Sequence, residues 1–461
     1  MSKRRGPLKA DELGTESIRS LLIKYALPGI IAMTASSLYN MVDSIFIGHG
    51  CGALALSGLT VAKPFMDICV AFGTLVGVGA STLVAIKLGE KDYNTAGRIL
   101  GNVVLLNLIL GVLVMAVGLI WMDPILYAFG ASEATISYAR EYMEIILIGN
   151  ALTHIYFGLN SMLRSMGHPR TSMVATIVAV FINIVLDPIF IFGLDMGVRG
   201  AAVATLISQA IAVVWQMTIF LNPNEIIHFH KGIWRLDAQI TKRSLSIGLS
   251  PFLMNIAHCF VIIILNNQFK EYGGDMALAS YGVINRFIFV FAMIVMGLNQ
   301  GMQPIVGYNY GARQYARMLR AFELTAICAT MVMGGVFLLG ECVPRWMVLL
   351  FTHDAELIVQ TIVPMRILAS SMLLVGFQMV AGNFFTSIGM AGKSIFLSLT
   401  RQVLFLIPLA LFMPMLFTED PILGVWWSIP ASDVISAIVA AVMIAVQVNK
   451  FKVEMEKDSK R

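Results

Sequence analysis

The sequence predicts an all-α polytopic membrane protein with twelve transmembrane helices in two pseudo-symmetric six-helix bundles. First, 58% of its 461 residues are hydrophobic and only 13% are charged, with a mean hydropathy of +0.80, whereas a soluble chain carries about 25% charged residues. Second, the apolar runs have the length of membrane-spanning helices and do not alternate with period two, which excludes a transmembrane β-barrel. Third, the second half of the chain repeats landmarks of the first at a constant distance.

A polar N-terminal tail over 1–20 precedes the apolar runs and lacks the apolar core of a signal peptide. Twelve runs of roughly 20–30 residues follow, each long enough to cross a bilayer with some tilt. The predicted spans lie near 21–48, 55–86, 98–121, 137–164, 171–193, 200–221, 244–269, 276–306, 318–340, 359–386, 394–416 and 424–447. They form an N-terminal lobe over 21–221 and a C-terminal lobe over 244–447. A polar connection at 222–243 joins the lobes, and a tail follows at 448–461.

The distribution of lysine and arginine predicts the orientation of these spans. One set of connections, together with both tails, holds 24 of the 32 basic residues, and the opposite set holds 4. Because basic residues are retained on the cytoplasmic side, both termini and the 222–243 connection are predicted to be cytoplasmic. The same bias accounts for the net charge of +5, so no nucleic-acid partner is expected.

The repeat is visible as landmarks spaced 222 residues apart. Gly79, Gly89, Tyr93, Ser165 and Gly167 recur as Gly301, Gly311, Tyr315, Ser387 and Gly389. An even number of spans in each half makes the halves parallel, related by an axis along the membrane normal. Gly89 and Gly311 fall at equivalent ends of the second and eighth spans, where helices commonly close on glycine.

The fifth predicted span carries an unusual polar pair. Asn183 and Asp187 are four residues apart, so they share one helix face, and Pro188 follows at once. An acid at the centre of a bilayer costs about 2.5–3.5 kcal/mol on insertion scales and normally faces a cavity or a partner. The pair is therefore a candidate functional site. The alternative is a structural pair that holds two helices together.

The acidic centre is predicted to be one-sided. Asp43 in the first span has Leu265 or Asn266 at its counterpart in the second half, and Asp187 has Leu409. The second half retains Asp433 as its one embedded acid.

Three motifs give the chain its resemblance to a known family. They are Pro28, Asp43 and Gly48 in the first span, Asn183, Asp187 and Pro188 in the fifth, and Pro304, Gly307, Asn309, Gly311 and Ala312 in the eighth. With these motifs the whole chain resembles a multidrug and toxic compound extrusion (MATE) transporter, of the DinF-like branch that includes the MepA-type pumps. The NorM-like branch places acids in its C-terminal half, at spans where this sequence has none.

The resemblance implies two six-helix bundles around a central cavity and export of amphipathic organic cations against Na⁺ or H⁺. It places the cation or proton site on Asp43, Asn183, Asp187 and Thr205. The chemistry agrees, because two carboxylates in a low dielectric titrate as a unit and hold one proton. They also suit one Na⁺, with Asn183 and Thr205 adding neutral oxygens. Pro28 is a candidate hinge, or an ordinary membrane-helix proline.

Six further residues are predicted to line the substrate cavity: Tyr39, Asn40, Asp67, Tyr142, Asn160 and Arg286. For Tyr142 and Asn160 this is what the resemblance implies, because they match polar residues that line the same lobe in the family. Two of the six have simpler readings. Asp67 follows Lys63 by four residues, so the two side chains are expected to pair on one helix face. Arg286 is either a cavity residue or a membrane anchor whose charged end reaches the interface.

The predicted function is a cation-coupled antiporter for amphipathic, mostly cationic drugs and toxic organic compounds. It is expected in the cytoplasmic membrane of a bacterium or archaeon, as a monomer without a cofactor, with the lipid bilayer as surroundings. The alternative is a flippase for a lipid-linked precursor, which belongs to the same superfamily and is expected to need a strongly cationic cavity. An enzyme is not expected, because the spans contain no Gly-rich phosphate loop, no H-E-x-x-H and no Ser–His pair.

Overall fold

The computed structural model describes residues 11–459, apart from the side chains of Asn40, Ala53, Asp458 and Ser459. The predicted tails at 1–20 and 448–461 therefore lie partly outside the described residues. Within those residues the chain is built from helices, with no β-strand. This confirms the predicted fold class.

The first half contains α1 Glu12–Thr15, α2 Ile18–Cys51, α3 Ala53–Gly89, α4 Tyr93–Ile120, α5 Met122–Ala128, α6 Ile136–Ile148, α7 Asn150–Ser165, α8 Pro169–Pro188 and α9 Gly197–Phe220. The second half contains α10 Ala238–Gly311, α11 Tyr315–Cys342, α12 Pro344–Leu349, α13 Ala355–Ala369, α14 Met372–Ser387, α15 Ala391–Leu399, α16 Ile407–Leu416 and α17 Pro421–Ser459. Two π-helical stretches, Ile189–Gly193 and Thr400–Leu406, continue α8 and join α15 to α16.

These helices form the twelve predicted spans. Nine helices of the described residues are long and apolar enough to cross a membrane. Two bent pairs, α6 with α7 at 57° and α13 with α14 at 49°, make two more. The 74-residue α10 contains two spans, because Gly274 has the non-helical angles φ 66° and ψ −165° and breaks it. The break falls between the predicted spans 244–269 and 276–306.

The repeat extends to the backbone conformation. Left-handed residues recur 222 positions apart at Gly52 and Gly274, Lys91 and Arg313, and Gly167 and Gly389. The kinks between α6 and α7 and between α13 and α14 are also 222 apart, at Gly149 and Ser371. These pairs corroborate the pseudo-symmetry of the two bundles in a property that does not depend on side-chain identity.

Gly89 and Gly311 serve a different purpose from the predicted one. The left-handed residues that follow α3 and α10 are Lys91 and Arg313, so the helices do not close on the two glycines. A Cβ atom on Gly89 would lie 2.0 Å from the carbonyl oxygen of Tyr308, and one on Gly311 would lie 2.0 Å from that of Ile86. Both glycines are needed because α3 and α10 touch backbone to backbone, which joins the two halves.

These contacts lie at one end of the molecule, where the connections rich in lysine and arginine also lie; we call it the basic end. Further in, a Cβ on Gly79 would lie 1.9 Å from the carbonyl oxygen of Ser244. A Cβ on its counterpart Gly301 would lie 2.5 Å from the Cα of Ala26, so this glycine also packs against backbone of the other half. The halves are therefore in direct contact at the basic end.

The short helix α1 crosses this seam between the halves. Leu13 is fully buried, and its carbonyl oxygen accepts hydrogen bonds from Asn309 Nδ2 at 2.9 Å and Arg317 Nη2 at 3.2 Å. Arg317 Nη2 also donates to the carbonyl oxygen of Glu16 at 2.5 Å. Lys24 of α2 pairs with Glu12 and, at 3.6 Å, with Glu16. An N-terminal segment is thus held by residues of the second half.

The predicted connection at 222–243 is partly helical. It contains a 3₁₀ turn over Lys231–Ile233, and α10 begins inside it at Ala238. Asp237 caps α10 by accepting from the backbone N–H groups of Gln239 at 2.9 Å and Ile240 at 3.2 Å, while Arg98 pairs with its other oxygen. The amide of Ile240, that of Gln239 and the Arg98 guanidinium lower the pKa of Asp237.

Candidate functional site

The site is centred on two buried acids contributed by different helices of the first half. Asp187 lies near the end of α8 and is fully buried, and Asp43 of α2 is 7% exposed. The sequence places Asp187 there by running an apolar helix up to Pro188, after which the chain continues as the π-helical stretch Ile189–Gly193. Since α2 and α8 pack side by side, both acids face the interior of the first bundle.

Thr205 of α9 connects the polar side chains around these acids. Its Oγ1 lies 3.0 Å from the Tyr39 hydroxyl and accepts from Asn183 Nδ2 at 3.4 Å. It donates to the carbonyl oxygen of Ala201 at 3.1 Å, so Tyr39 is the donor to Thr205. Asn183 Nδ2 also donates to Asp187 Oδ1 at 3.2 Å. The structure thus links α2, α8 and α9 through Tyr39, Thr205 and Asn183.

Three oxygens of this site have no hydrogen-bond partner among the described residues. They are Asp43 Oδ1, Asp187 Oδ2 and Asn183 Oδ1, all buried. A buried acceptor left without a donor costs roughly 1–3 kcal/mol. The two acids also lie close enough for Asp43 to act electrostatically on Asp187. Carboxylate, amide and hydroxyl oxygens are the ligands that a hard cation prefers, and the same carboxylates suit a shared proton.

Tyr142 of α6 is brought to the same place. It is 2% exposed and lies within electrostatic range of Asp43, Tyr39 and Asp187. The side chain of Asn40, predicted for the cavity, lies outside the described residues.

Asp67 and Arg286 lie outside this cluster. Asp67 of α3 pairs with Lys63 at 2.7 Å, with the two side chains 48% and 52% exposed. This is the pairing on one helix face that the spacing of the two residues predicted. Arg286 is exposed on α10 and forms no hydrogen bond or ion pair with the described residues.

Asn160 belongs to a second polar network, nearer the basic end of α8. Its Nδ2 donates to Thr176 Oγ1 at 3.1 Å, and its Oδ1 accepts from Ser172 Oγ at 2.7 Å. Arg164 donates to Ser172 at 3.1 Å and closes the network. Ser172 and Thr176 lie on the same buried face of α8 as Asn183 and Asp187, so one polar stripe runs along the helix.

The candidate hinge Pro28 lies inside α2, which continues as one helix across it. Directly beside it, a Cβ on Gly29 would lie 2.7 Å from the carbonyl oxygen of Gly297 in α10. The helix that carries Asp43 therefore packs tightly against the second half next to this proline.

Sequence reasoning missed the partner of Asp433. The acid is fully buried in α17, where Arg401 Nε donates to its Oδ1 at 2.8 Å and Ser371 Oγ donates to its Oδ2 at 2.8 Å. The available signal was that Arg401 is one of only four basic residues that lie away from the ends of the predicted spans. The buried charges of the second half therefore form a neutralised ion pair, whereas those of the first half are two acids.

The match to a known protein family falls into two stretches, one in each half of the chain. The MatE family profile matches residues 28–189 and 247–412. The multidrug export protein MepA of Staphylococcus haemolyticus is 27% identical over 438 residues, covering 95% of this chain and 96% of that protein.

Two solved structures share the fold. One is the outward-facing conformation of a multidrug resistance MATE family transporter of the MOP superfamily, with a TM-score of 0.90, 24% identity, and coverage of 97% and 99% of the two chains. The other is a MOP superfamily transporter from Pyrococcus furiosus, described as having a binding pocket of reverse polarity suggesting a different function. It has a TM-score of 0.90 and 25% identity, with coverage of 97% and 99%.

Proposed function

Because this chain belongs to the MatE family, we propose that it is an antiporter that exports amphipathic, mostly cationic drugs against Na⁺ or H⁺. The name of its MepA relative, a multidrug export protein, supports the drug-export part of this proposal. The protein acts as a transporter and not as an enzyme. It is a multi-pass protein of the cytoplasmic membrane of a bacterium or archaeon, with both termini in the cytoplasm, and it works as a monomer without a cofactor.

The observation that carries the coupling mechanism is the set of three buried oxygens without donors on Asp43, Asp187 and Asn183. One proton or one Na⁺ at this place would satisfy them and offset the repulsion between the two carboxylates. A ligand can drive a conformational change only if its affinity differs between the two states. The coupling cation does so if the acids come together in one state and separate in the other.

Movement of α2 is the simplest way to separate the acids. This helix carries Asp43 and Tyr39 against α8 and α9, and it carries Gly29 against Gly297 of the second half. Pro28 removes one backbone hydrogen bond where the helix meets the second half. Bending there would couple the charge state of Asp43 to the contact between the halves.

Alternating access then requires the contact between the halves at the basic end to open and close. With Gly89 and Gly311 in backbone contact across the halves, this state is closed at the basic end. Export requires that seam to part and the opposite side to close. A cationic drug and the coupling cation are favoured by the same negative charge, so binding of one promotes release of the other.

The test is dye efflux from vesicles under an imposed Na⁺ gradient and, separately, an imposed pH gradient. Asp43→Asn and Asp187→Asn retain size and hydrogen bonding but remove the charge. Each variant should still reach the membrane and still bind a cationic dye about tenfold more weakly, which corresponds to a loss of about 1.4 kcal/mol. Each should lose gradient-driven efflux, and the gradient that drives the unchanged protein identifies the cation.

Two acids serve as comparisons. Asp123→Asn removes an exposed acid paired with Arg140 at 2.6 Å and should pump like the unchanged protein. Asp433→Asn, in the second half, should lose less efflux of a cationic dye than either first-half variant. If both Asp43→Asn and Asp187→Asn pump normally, the acid pair is structural and the coupling mechanism is wrong.

A further inference from the structure

We propose that Arg401 forms an anion-binding site in the second half, which takes the carboxylate of a zwitterionic amphipathic substrate. This inference rests on the proposed function of drug export and adds a specificity-determining residue to it. The ion pair with Asp433 is asymmetric, since the acid is fully buried while the arginine side chain is 30% exposed.

The guanidinium retains donors for a ligand. Only its Nε is used, in the bond to Asp433 Oδ1, and the two Nη nitrogens have no partner among the described residues. Ser371 holds the other oxygen of Asp433, which fixes the acid and therefore the orientation of the arginine. A planar guanidinium with two free N–H groups on one edge matches a carboxylate in two parallel hydrogen bonds.

Arg401 lies in the middle of its span and at an irregular part of it. It follows the start of α15 by ten residues, which is about 15 Å along a helix. It belongs to the π-helical stretch Thr400–Leu406, and Ser371 lies at the kink between α13 and α14. Irregular helix of this kind recurs at functional sites. A charged side chain at this depth faces the bundle interior or a cavity rather than lipid.

The neighbours of Arg401 place it beside the space between α3 of the first half and α10 of the second, which we call the cleft. His258 of α10 is exposed and lies within electrostatic range of both Arg401 and Asp67 of α3. The cleft is thus bordered by the Lys63–Asp67 pair of the first half and by the Arg401 guanidinium of the second. A zwitterion fits this arrangement with its cationic group toward the acids of the first half and its carboxylate on Arg401.

The fold itself does not require this ion pair. The residues 222 positions before Arg401 and Asp433 are Ala179 and Ile211, and the first half folds with them. A buried ion pair is on average no more stabilising than apolar residues of similar volume. A binding role explains why these two positions of the second half are charged while the equivalent positions of the first half are apolar.

The experiment uses two dyes that differ only in the carboxyl group, the zwitterion rhodamine 110 and its cationic methyl ester rhodamine 123. The test variant is Arg401→Gln with Asp433→Asn, because removing both charges leaves neither one buried alone. Its apparent affinity for rhodamine 110 should fall about tenfold, as expected for a lost charged hydrogen bond. Its affinity for rhodamine 123 should change less than twofold. Asp433→Asn alone releases Arg401 and should increase the affinity for rhodamine 110.

Equal losses for both dyes, or no change for either, would overturn the assignment. Equilibrium binding to the purified protein, read by fluorescence polarisation, is measured beside efflux. If the proposed export function fails, dye binding still tests Arg401. The dyes are compared in vesicles of phosphatidylcholine alone and with added phosphatidylglycerol. If the discrimination is present in the first and lost in the second, the headgroup of an anionic lipid occupies Arg401, and the substrate assignment is wrong.

Discussion

Thr205 is the residue through which the three helices of the first-half site are joined. Its hydroxyl accepts from Tyr39 and Asn183 and donates to the carbonyl of Ala201. Asn183 in turn holds one oxygen of Asp187. The hydroxyl therefore positions the neutral oxygens around the acids without being charged itself.

Replacing Thr205 tests this role. Thr205→Val keeps the shape but leaves the Tyr39 hydroxyl without its acceptor, at a cost of roughly 1–3 kcal/mol, and it removes one of the two acceptors of Asn183 Nδ2. The apparent affinity for the coupling cation, measured from the Na⁺ or pH dependence of dye efflux, should fall about tenfold or more. Thr205→Ser keeps the hydroxyl and should stay within about twofold of the unchanged protein. Equal affinities for the two variants would contradict a role for the hydroxyl.

At the scale of the elements, glycines decide where helices of different halves approach. The sequence GLNQG in α10 brings Gly297 and Gly301 onto one face, where they pack against the α2 backbone. Gly89 and Gly311 do the same for α3 and α10 near the basic end. Small residues allow such close approach in membranes, where association depends on packing more than on the hydrophobic effect.

Gly89→Val and Gly311→Val should therefore lower the amount of folded protein more than they change drug preference. Each adds a side chain whose Cβ would lie 2.0 Å from a backbone carbonyl oxygen of the other half. The measurement is the yield of monodisperse protein by size-exclusion chromatography. Gly382→Val is the control, since a Cβ there meets nothing within 4 Å. Normal yield with altered drug preference would indicate a direct substrate role instead.

The hydrogen bonds that hold α1 against the second half lead to a separate prediction. Arg317→Ala removes the side chain that binds the carbonyl oxygens of Leu13 and Glu16. Backbone amides of 11–16 should exchange with deuterium about tenfold faster, since a hydrogen bond to a charged group is worth roughly 1.5–3 kcal/mol. Arg320→Ala is the control, because its partner Glu323 lies on the same helix. Equal exchange in both variants would show that Arg317 does not hold the segment.

At the scale of the whole molecule, two bundles with the same backbone carry different polar centres. Left-handed residues and kinks recur at a separation of 222 positions. The first bundle, however, holds Asp43 and Asp187, and the second holds the Arg401–Asp433 pair. A shared backbone with unequal charge allows one bundle to respond to a cation while the other does not.

The orientation of the whole chain in the membrane can be tested with reporter fusions. The distribution of lysine and arginine predicts that both termini and the connection at 222–243 are cytoplasmic. A reporter such as alkaline phosphatase, active only outside the cytoplasm, should be inactive when fused in 222–243 or after residue 461. A reporter fused at Lys270–Asp275, beside the break at Gly274, should be active. An active fusion at either of the first two sites would overturn the predicted orientation.

Local patterns were sufficient for much of this protein. Apolar runs predicted the spans, because each helix must satisfy its own backbone hydrogen bonds in lipid. The spacing of Asn183 and Asp187 predicted that they share a helix face, and the structure shows the hydrogen bond between them. Their meeting with Asp43 and Thr205 was predicted from the family resemblance and from the cost of an isolated buried acid. Whether these residues bind the coupling cation is the proposal to be tested.

The sequence by itself determined the membrane helices, the repeat and the positions of the embedded charges, since these depend on residues close together in the chain. Only the tertiary structure decided that Arg401 pairs with Asp433, that Asn160 joins a separate network, and that Gly89 and Gly311 join the halves. Each of these contacts links different helices, so its partner depends on helix rotation and packing. Hydropathy constrains neither, because apolar side chains are compatible with lipid on every face of a membrane helix.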